Sequence, residues 1–182
     1  MKLELAIINK YYTKDSKSYN ILIGHSLAVM NKAVKITENC GINNDLNFIK
    51  EACILHDIGI FATQAPEIGC FGDKPYICHG YVGRQILEIE GLFKHALVCE
   101  RHSGAGISIS EITNNKLPLP ERDMIPITIE EIIICVADKF YSKLKKNLSD
   151  EKSLEEIYLD LAKFGREKID LFNYWLSKLK LV

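Results

Sequence analysis

The sequence is short of most of what would assign a chain to a special class. Its 23 lysines and arginines stand against 24 aspartates and glutamates, for a net charge of −1. No global field therefore draws it toward nucleic acid or an anionic membrane. No apolar run approaches the ~20 residues of a spanning helix, and in the second half the longest is Ile132 to Ala137. Nothing at the start resembles a signal core, since Glu4 interrupts the early apolar residues and no small-residue cleavage site follows. Six cysteines are scattered without a C-x-x-C pair, which reads as reduced thiols filling helical core positions. Internal repeats, low-complexity tracts and breaks in composition are absent too. Together these absences predict a cytoplasmic protein with no membrane partner and no nucleic-acid signature.

What is present is an ordinary globular balance over 182 residues, 47% hydrophobic and 26% charged. A chain of this length buries enough surface to need no disulfide scaffold. The apolar spacing follows a 3.6-residue period and no useful alternating strand appears, so the expectation is a single-domain all-α bundle of about six to eight helices. A short amphipathic start covers 2–10. Ser18 caps a helix running to Cys40, with Gly41 ending it, and Asp45 opens another that stops near Gly59. Pro66, Gly69, Gly72 and Pro75 make 60–75 a loop. Helices follow from Tyr76 to about Glu90 and from Leu92 to His102, then a turn at Ser103–Gly106 and a short helix around Ser110–Lys116. Capping boxes at Thr128/Glu131 and Ser153/Glu156 open helices over about 129–147 and 154–180. The last carries Ile157, Leu161, Phe164, Leu171, Trp175 and Leu179 on roughly one face, which packs it across the bundle or, alternatively, pairs two copies as a homodimer.

Polar residues on apolar helix faces carry the functional signal. His25 shares its face with Ile21, Leu22, Ala28 and Val29, and His56 follows Ala52 and Cys53 with Asp57 next to it. His79 precedes Val82 and Gly83, His102 follows Val98 and Cys99, and Asp138 lies between Ile134 and Tyr141. A buried carboxylate without a counter-charge costs several kcal/mol. No lysine or arginine stands at i±3 or i±4 of Asp138. A metal cation would satisfy carboxylates and imidazoles together.

The ordered set His25, His56-Asp57 within Ile54-Leu-His-Asp-Ile-Gly59, His79, His102 and Ala137-Asp138 resembles the HD superfamily of metal-dependent phosphohydrolases over roughly residues 18–147. The resemblance implies that His25, His56, Asp57 and Asp138 hold a first metal, and that Asp57 bridges to a second held also by His79 and His102. His56 and Asp57 would be the catalytic pair, with Gly59 placing them at a helix end. His95 matches no family position and is read as structural. The Gly-Tyr-Pro motif of the cyclic-dinucleotide phosphodiesterases is missing after Glu100-Arg-His-Ser. Ile60 replaces the acid that the small nucleotidases carry after His-Asp, which favours two metals over one. The 61–73 loop also lacks the Glu-Asp pair of the guanosine-tetraphosphate hydrolases.

One or two divalent transition metals (Fe, Mn, Co, Ni or Zn) are implied as cofactors. Two such ions, two aspartates and a bridging hydroxide leave a local charge of about +1, suited to a phosphoester of a nucleotide or small phosphorylated metabolite. Lys139, Lys143 and Lys146, beside Asp138, read as a solvated face or as phosphate anchors; Arg101 and Lys74 are further candidate substrate contacts. Two other functions use the same ligands: a di-iron oxygenase, and a metal-stabilised binding module without turnover.

Overall fold

The computed structural model describes residues 2–41 and 45–182. Nine α-helices occur among the described residues, with one two-stranded hairpin, so the architecture is all-α. The short helix α1 (Lys2–Ile8) leads to the long α2 (Lys17–Cys40). Ser16 rather than Ser18 caps α2: its side chain accepts from the Tyr19 amide at 3.2 Å, and the Ser18 hydroxyl lies 3.4 Å from it. Gly41, with φ of 62°, ends α2 in the left-handed region that glycine enters without steric cost. Asp45 caps α3 (Leu46–Leu55) by accepting from the Phe48 amide at 3.0 Å.

Helix α3 stops one residue before His56, so Gly59 is not its terminator. The chain tightens into a 3-10 turn over Ile58–Ala62, in which Gly59 touches the next helix. A Cβ there would collide with the His79 carbonyl oxygen and lie 2.6 Å from the Gly83 amide. Close approach, and not a special φ, is what this glycine provides. Strands β1 (Gln64–Ala65) and β2 (Cys70–Phe71) pair antiparallel within the expected loop, too short to leave an alternating pattern in the sequence. A 3-10 turn at Tyr76–Cys78 precedes α4 (His79–Ile89), and α5 (Phe93–Arg101) ends at His102. A third capping box, Ser108 with Glu111, opens α6 (Ile109–Asn114).

The second half departs further from expectation. Helix α7 spans Ile129–Lys139 and not 129–147. Thr128 accepts from the Glu131 amide, but the Glu131 carboxylate turns to the Ile127 amide and Arg101, so the box is half made. After Phe140 the chain is held off helix by contacts from elsewhere: Lys152 N–H donates to the Phe140 carbonyl at 2.7 Å, and Tyr141 donates to Glu151 at 2.9 Å. The expected 154–180 helix is two helices, α8 (Leu154–Ala162) and α9 (Arg166–Lys178). Gly165, at φ of 118°, breaks them apart in a conformation that side chains rarely adopt. The break also splits the expected apolar face: Ile157, Leu161, Trp175 and Leu179 are buried within the chain, whereas Phe164 is 63% exposed.

Two clusters of buried side chains make up the interior among the described residues. One joins α2, α3 and α5 with α7, α8 and α9; the other joins α1, α4, α6 and the hairpin with further residues of α2, α3 and α5. His25 stands between Leu22 in one cluster and Ala28 and Val29 in the other. No helix among the described residues is long and apolar enough to cross a membrane.

Candidate metal centre

The candidate ligands sit in α2 and at the ends of α3, α4, α5 and α7. His25 comes from the middle of α2, His56 and Asp57 follow α3, His79 opens α4, His102 follows α5 and Asp138 is the penultimate residue of α7. Helix ends allow neighbouring residues such as His56 and Asp57, about 100° apart on a continuing helix, to face one point. All six side chains are buried. The structure brings them into two groups that share Asp57: His25, His56, Asp57 and Asp138, and Asp57, His79 and His102. Within each group the donor atoms lie within 4.8 Å of one another.

Asp57 divides its oxygens between the groups. Its Oδ2 is 3.3 Å from His25 Nε2 and 3.1 Å from His56 Nε2. Its Oδ1 is 3.5 Å from His79 Nε2 and 3.4 Å from His102 Nε2. Asp138 Oδ1 completes the first group, 2.9 Å from His25 Nε2 and 3.5 Å from His56 Nε2.

These contacts fit a shared cation better than a hydrogen-bond network. His56 Nε2 and both Asp57 oxygens are buried yet have no aligned hydrogen-bond partner. Donors at ~2.1 Å from one ion and at right angles stand roughly 3 Å apart. The backbone fixes the tautomers: the Nδ1–H groups of His56, His79 and His102 each donate, at 2.7 Å, to the carbonyl three residues earlier (Cys53, Tyr76 and Cys99). A carbonyl only accepts, so each Nδ1 carries the proton and each Nε2 lone pair faces inward. His79 and His102 thereby point Nε2 at Nε2 across 3.1 Å, an unfavourable pairing that a cation between them would relieve. The buried His/Asp cluster thus fits divalent metal binding, with His25, His56, Asp57 and Asp138 as one set of holders and Asp57, His79 and His102 as the other.

Lysines supply the counter-charge that helical spacing did not reveal. Lys139 Nζ lies 2.8 Å from Asp138 Oδ2, and Lys143 Nζ lies 2.6 Å from Asp57 Oδ2. Both ammonium groups are largely buried, so they form no solvated face. Lys143 reaches Asp57 because α7 ends at Lys139 and the chain turns back. Burial opposes ionisation of Asp57, yet Lys143 and His56 hold its carboxyl well below the usual range; Lys139 and His25 do the same for Asp138. Burial and the Lys143 charge lower His25 to about 4, and burial beside His102 lowers His79 to about 3. Burial also opposes charge on His56, but without an ion Asp57 and Asp138 raise it to about 9, so a cation binding at Nε2 displaces a proton there.

The centre opens into a cavity of about 870 Å³ that His79, His102, Asp138, Lys139 and Lys143 help to line. Lys74 and Arg101 are not among the lining residues. Lys74 is half-buried and holds the hairpin through its backbone, accepting from Gln64 and donating to Ala62. Arg101 pairs with Glu131 at 2.9 Å. His95 lies apart as well, 3.3 Å from Glu51 and edge-on to Phe48. Two further lining side chains contact His79. Tyr76 stacks on His79, with ring centroids 4.7 Å apart, and the Ser103 hydroxyl is 3.3 Å from His79 Nε2. Nearness in sequence, three residues before His79 and one after His102, was the signal available for them.

Comparison with known proteins adds relatives to this geometry. The chain is 36% identical over 129 residues, 69% of each chain, to an uncharacterized protein of Methanocaldococcus jannaschii. It is 34% identical over 170 residues to a tRNA (cytidine(56)-2'-O)-methyltransferase of Thermoplasma volcanium, covering 89% of this chain and 44% of that one. A Picrophilus torridus protein of the same description is 30% identical over 162 residues, covering 85% and 43%. The chain thus spans less than half the length of these two methyltransferases. No solved structure matches it. The model of the HD domain matches residues 22–142, a segment that begins just before His25 and ends just after Asp138, and the chain belongs to the HD domain family.

Proposed function

We propose that the protein is a phosphohydrolase that cleaves a phosphate mono- or diester at a two-ion centre. The observation that carries this reading is the division of Asp57, with one carboxylate oxygen toward each donor group. Two divalent ions held there would acidify a water and polarise a phosphoryl oxygen, the chemistry that ester hydrolysis requires. The chain's own residues do the rest. Asp57 and His56 orient the centre, and the buried position of Asp57 keeps bulk water from competing for it. Lys139 and Lys143 lie on the cavity wall paired with Asp138 and Asp57, and ions that neutralise those aspartates would release them to anchor the non-reacting phosphate oxygens.

Two relatives bear names that refer to tRNA, so RNA-terminal phosphates belong among the substrates tried beside nucleotides and small esters. The test is a screen of these compounds with manganese, magnesium, cobalt or iron, run under air and under argon. Phosphate release or diester cleavage in both atmospheres, with at least one non-iron metal active, is the expected result. Turnover confined to iron and oxygen, with the phosphoester left intact, would replace hydrolysis by the oxygenase chemistry.

A further inference from the structure

We propose that α8, with Phe164 just beyond it, forms a subsite for an apolar, ring-bearing leaving group, so that the segment following the family-matched one selects the substrate. This rests on the phosphohydrolase reading of the same cavity. Its volume of about 870 Å³ lies near the top of the range that holds drug-sized ligands, roughly 300–1,000 Å³, and a phosphate alone would leave most of it empty.

Besides the residues of the metal centre, the lining takes in apolar Ile107, Leu117 and Phe164, backed by the buried Ile157 and Leu161 of α8, and the ion-paired Lys152, Asp160 and Lys163. Phe164 and Leu144, both lining residues, are 63% and 69% exposed, which leaves large apolar side chains uncovered where the cavity meets solvent. An apolar surface continuous with a cationic centre suits a ligand with a phosphate at one end and an apolar body at the other. A ring fits better than a flexible chain, because the exposed Phe164 ring offers an aromatic face on which it can stack at little entropic cost.

The wall is also held in place by caps and tertiary contacts. Ser153 and Glu156 cap α8 reciprocally, and Ile157 and Leu161 anchor it in the core. Lys168 of α9, itself buried, donates to the Gly106 carbonyl at 2.8 Å and to Glu111 at 2.6 Å. That contact ties the C-terminal helices to the turn that follows His102. Lys152 and Lys163 both pair with Asp160, at 2.8 and 2.7 Å, so they are engaged within the wall.

The test compares phenylphosphonate with methylphosphonate, two non-hydrolysable ligands that differ in the ring, by calorimetry on the manganese-loaded full chain. Wild type should bind the phenyl compound at least about tenfold more tightly. Phe164→Ala should lose that preference and Phe164→Tyr should keep it, with metal content and methylphosphonate affinity unchanged in both. Equal affinities in wild type, or a preference that survives Phe164→Ala, would overturn the subsite. Cleavage of phenyl and methyl phosphate is followed in parallel to separate the two ideas. Ring-selective binding without cleavage by any metal sinks the hydrolase reading and leaves the subsite standing. Cleavage without ring preference in binding does the reverse.

Discussion

A carboxylate whose two oxygens face different histidine pairs is the residue on which the whole site turns. Asp57→Ala should empty both metal positions, because each donor group loses a member. His79→Ala and His102→Ala should each empty only the second position and spare the first, since neither belongs to the group of His25, His56 and Asp138. His95→Ala, beside Glu51, should leave both filled. Elemental analysis after equilibrium dialysis against manganese or zinc reads all four. Complete loss of metal in His79→Ala, or equal damage from His95→Ala, would mean the ligands are misassigned. The six candidate ligands could be named from sequence because each is a polar residue repeating on an apolar helical face, in a recognisable order. Lys139 and Lys143 could not be assigned as their counter-ions. One is adjacent to Asp138, off the helical repeat, and the other reaches Asp57 through a chain reversal that no periodicity encodes.

Among the helices, local signals marked the beginnings better than the ends. Asp45, Thr128 and Ser153 each cap where expected, because a side-chain oxygen bonding an amide two or three residues on is a short-range event. The ends of α7 and α8 were overrun. The residues after Lys139 have adequate helical propensity, but contacts to distant residues outweigh it, including Leu148 packed on Gly24. The box at α6 was missed although Ser108 and Glu111 have the standard spacing. Glu111 also carries a tertiary role, since it pairs with Lys168 of α9. Burial opposes its charge, but Lys168 and Ser108 hold its carboxyl below the ordinary glutamate value of 4.5. A carboxyl depressed on folding stabilises the protein above its unfolded pKa, and the benefit disappears as pH falls through the folded value. Glu111→Gln should therefore cost up to about 1 kcal/mol at neutral pH, since solvent screens this partly exposed carboxylate. The gap from wild type should close as the pH drops below about 4.5. Thermal melts across pH 3–8 check this, and a gap that widens in acid would contradict it.

At the scale of the molecule, the candidate metal centre lies among helices that belong to two separate core clusters. His25 stands on α2 and Asp138 on α7, while His79 opens α4 in the other cluster. Any ion held there links parts of the chain distant in sequence and binds only the folded state. Metal at 1,000 times its Kd would add about 4 kcal/mol. Chelation should then lower Tm on the order of 10 °C, and manganese or zinc should restore it. The metal-free chain should still fold, because Lys139 and Lys143 neutralise the two aspartates. An identical Tm with and without chelator would show that no ion contributes.

Sequence alone determined the all-α class, the starts of most helices, the family and an ordered set of candidate ligands. Each is encoded over a few residues, by a 3.6-residue repeat, a cap or a motif, and needs no knowledge of what packs against it. Only the tertiary structure decided which carboxylate oxygen faces which histidines, which lysines answer them, and where α7 and α8 end. It alone brought α8 to line the cavity, about a hundred residues along the chain from His56 and further from His25. Such features arise when the two clusters pack and the chain after Phe140 turns back. Their determinants are contacts between distant residues, and the same local sequence without those contacts would have carried α7 onward.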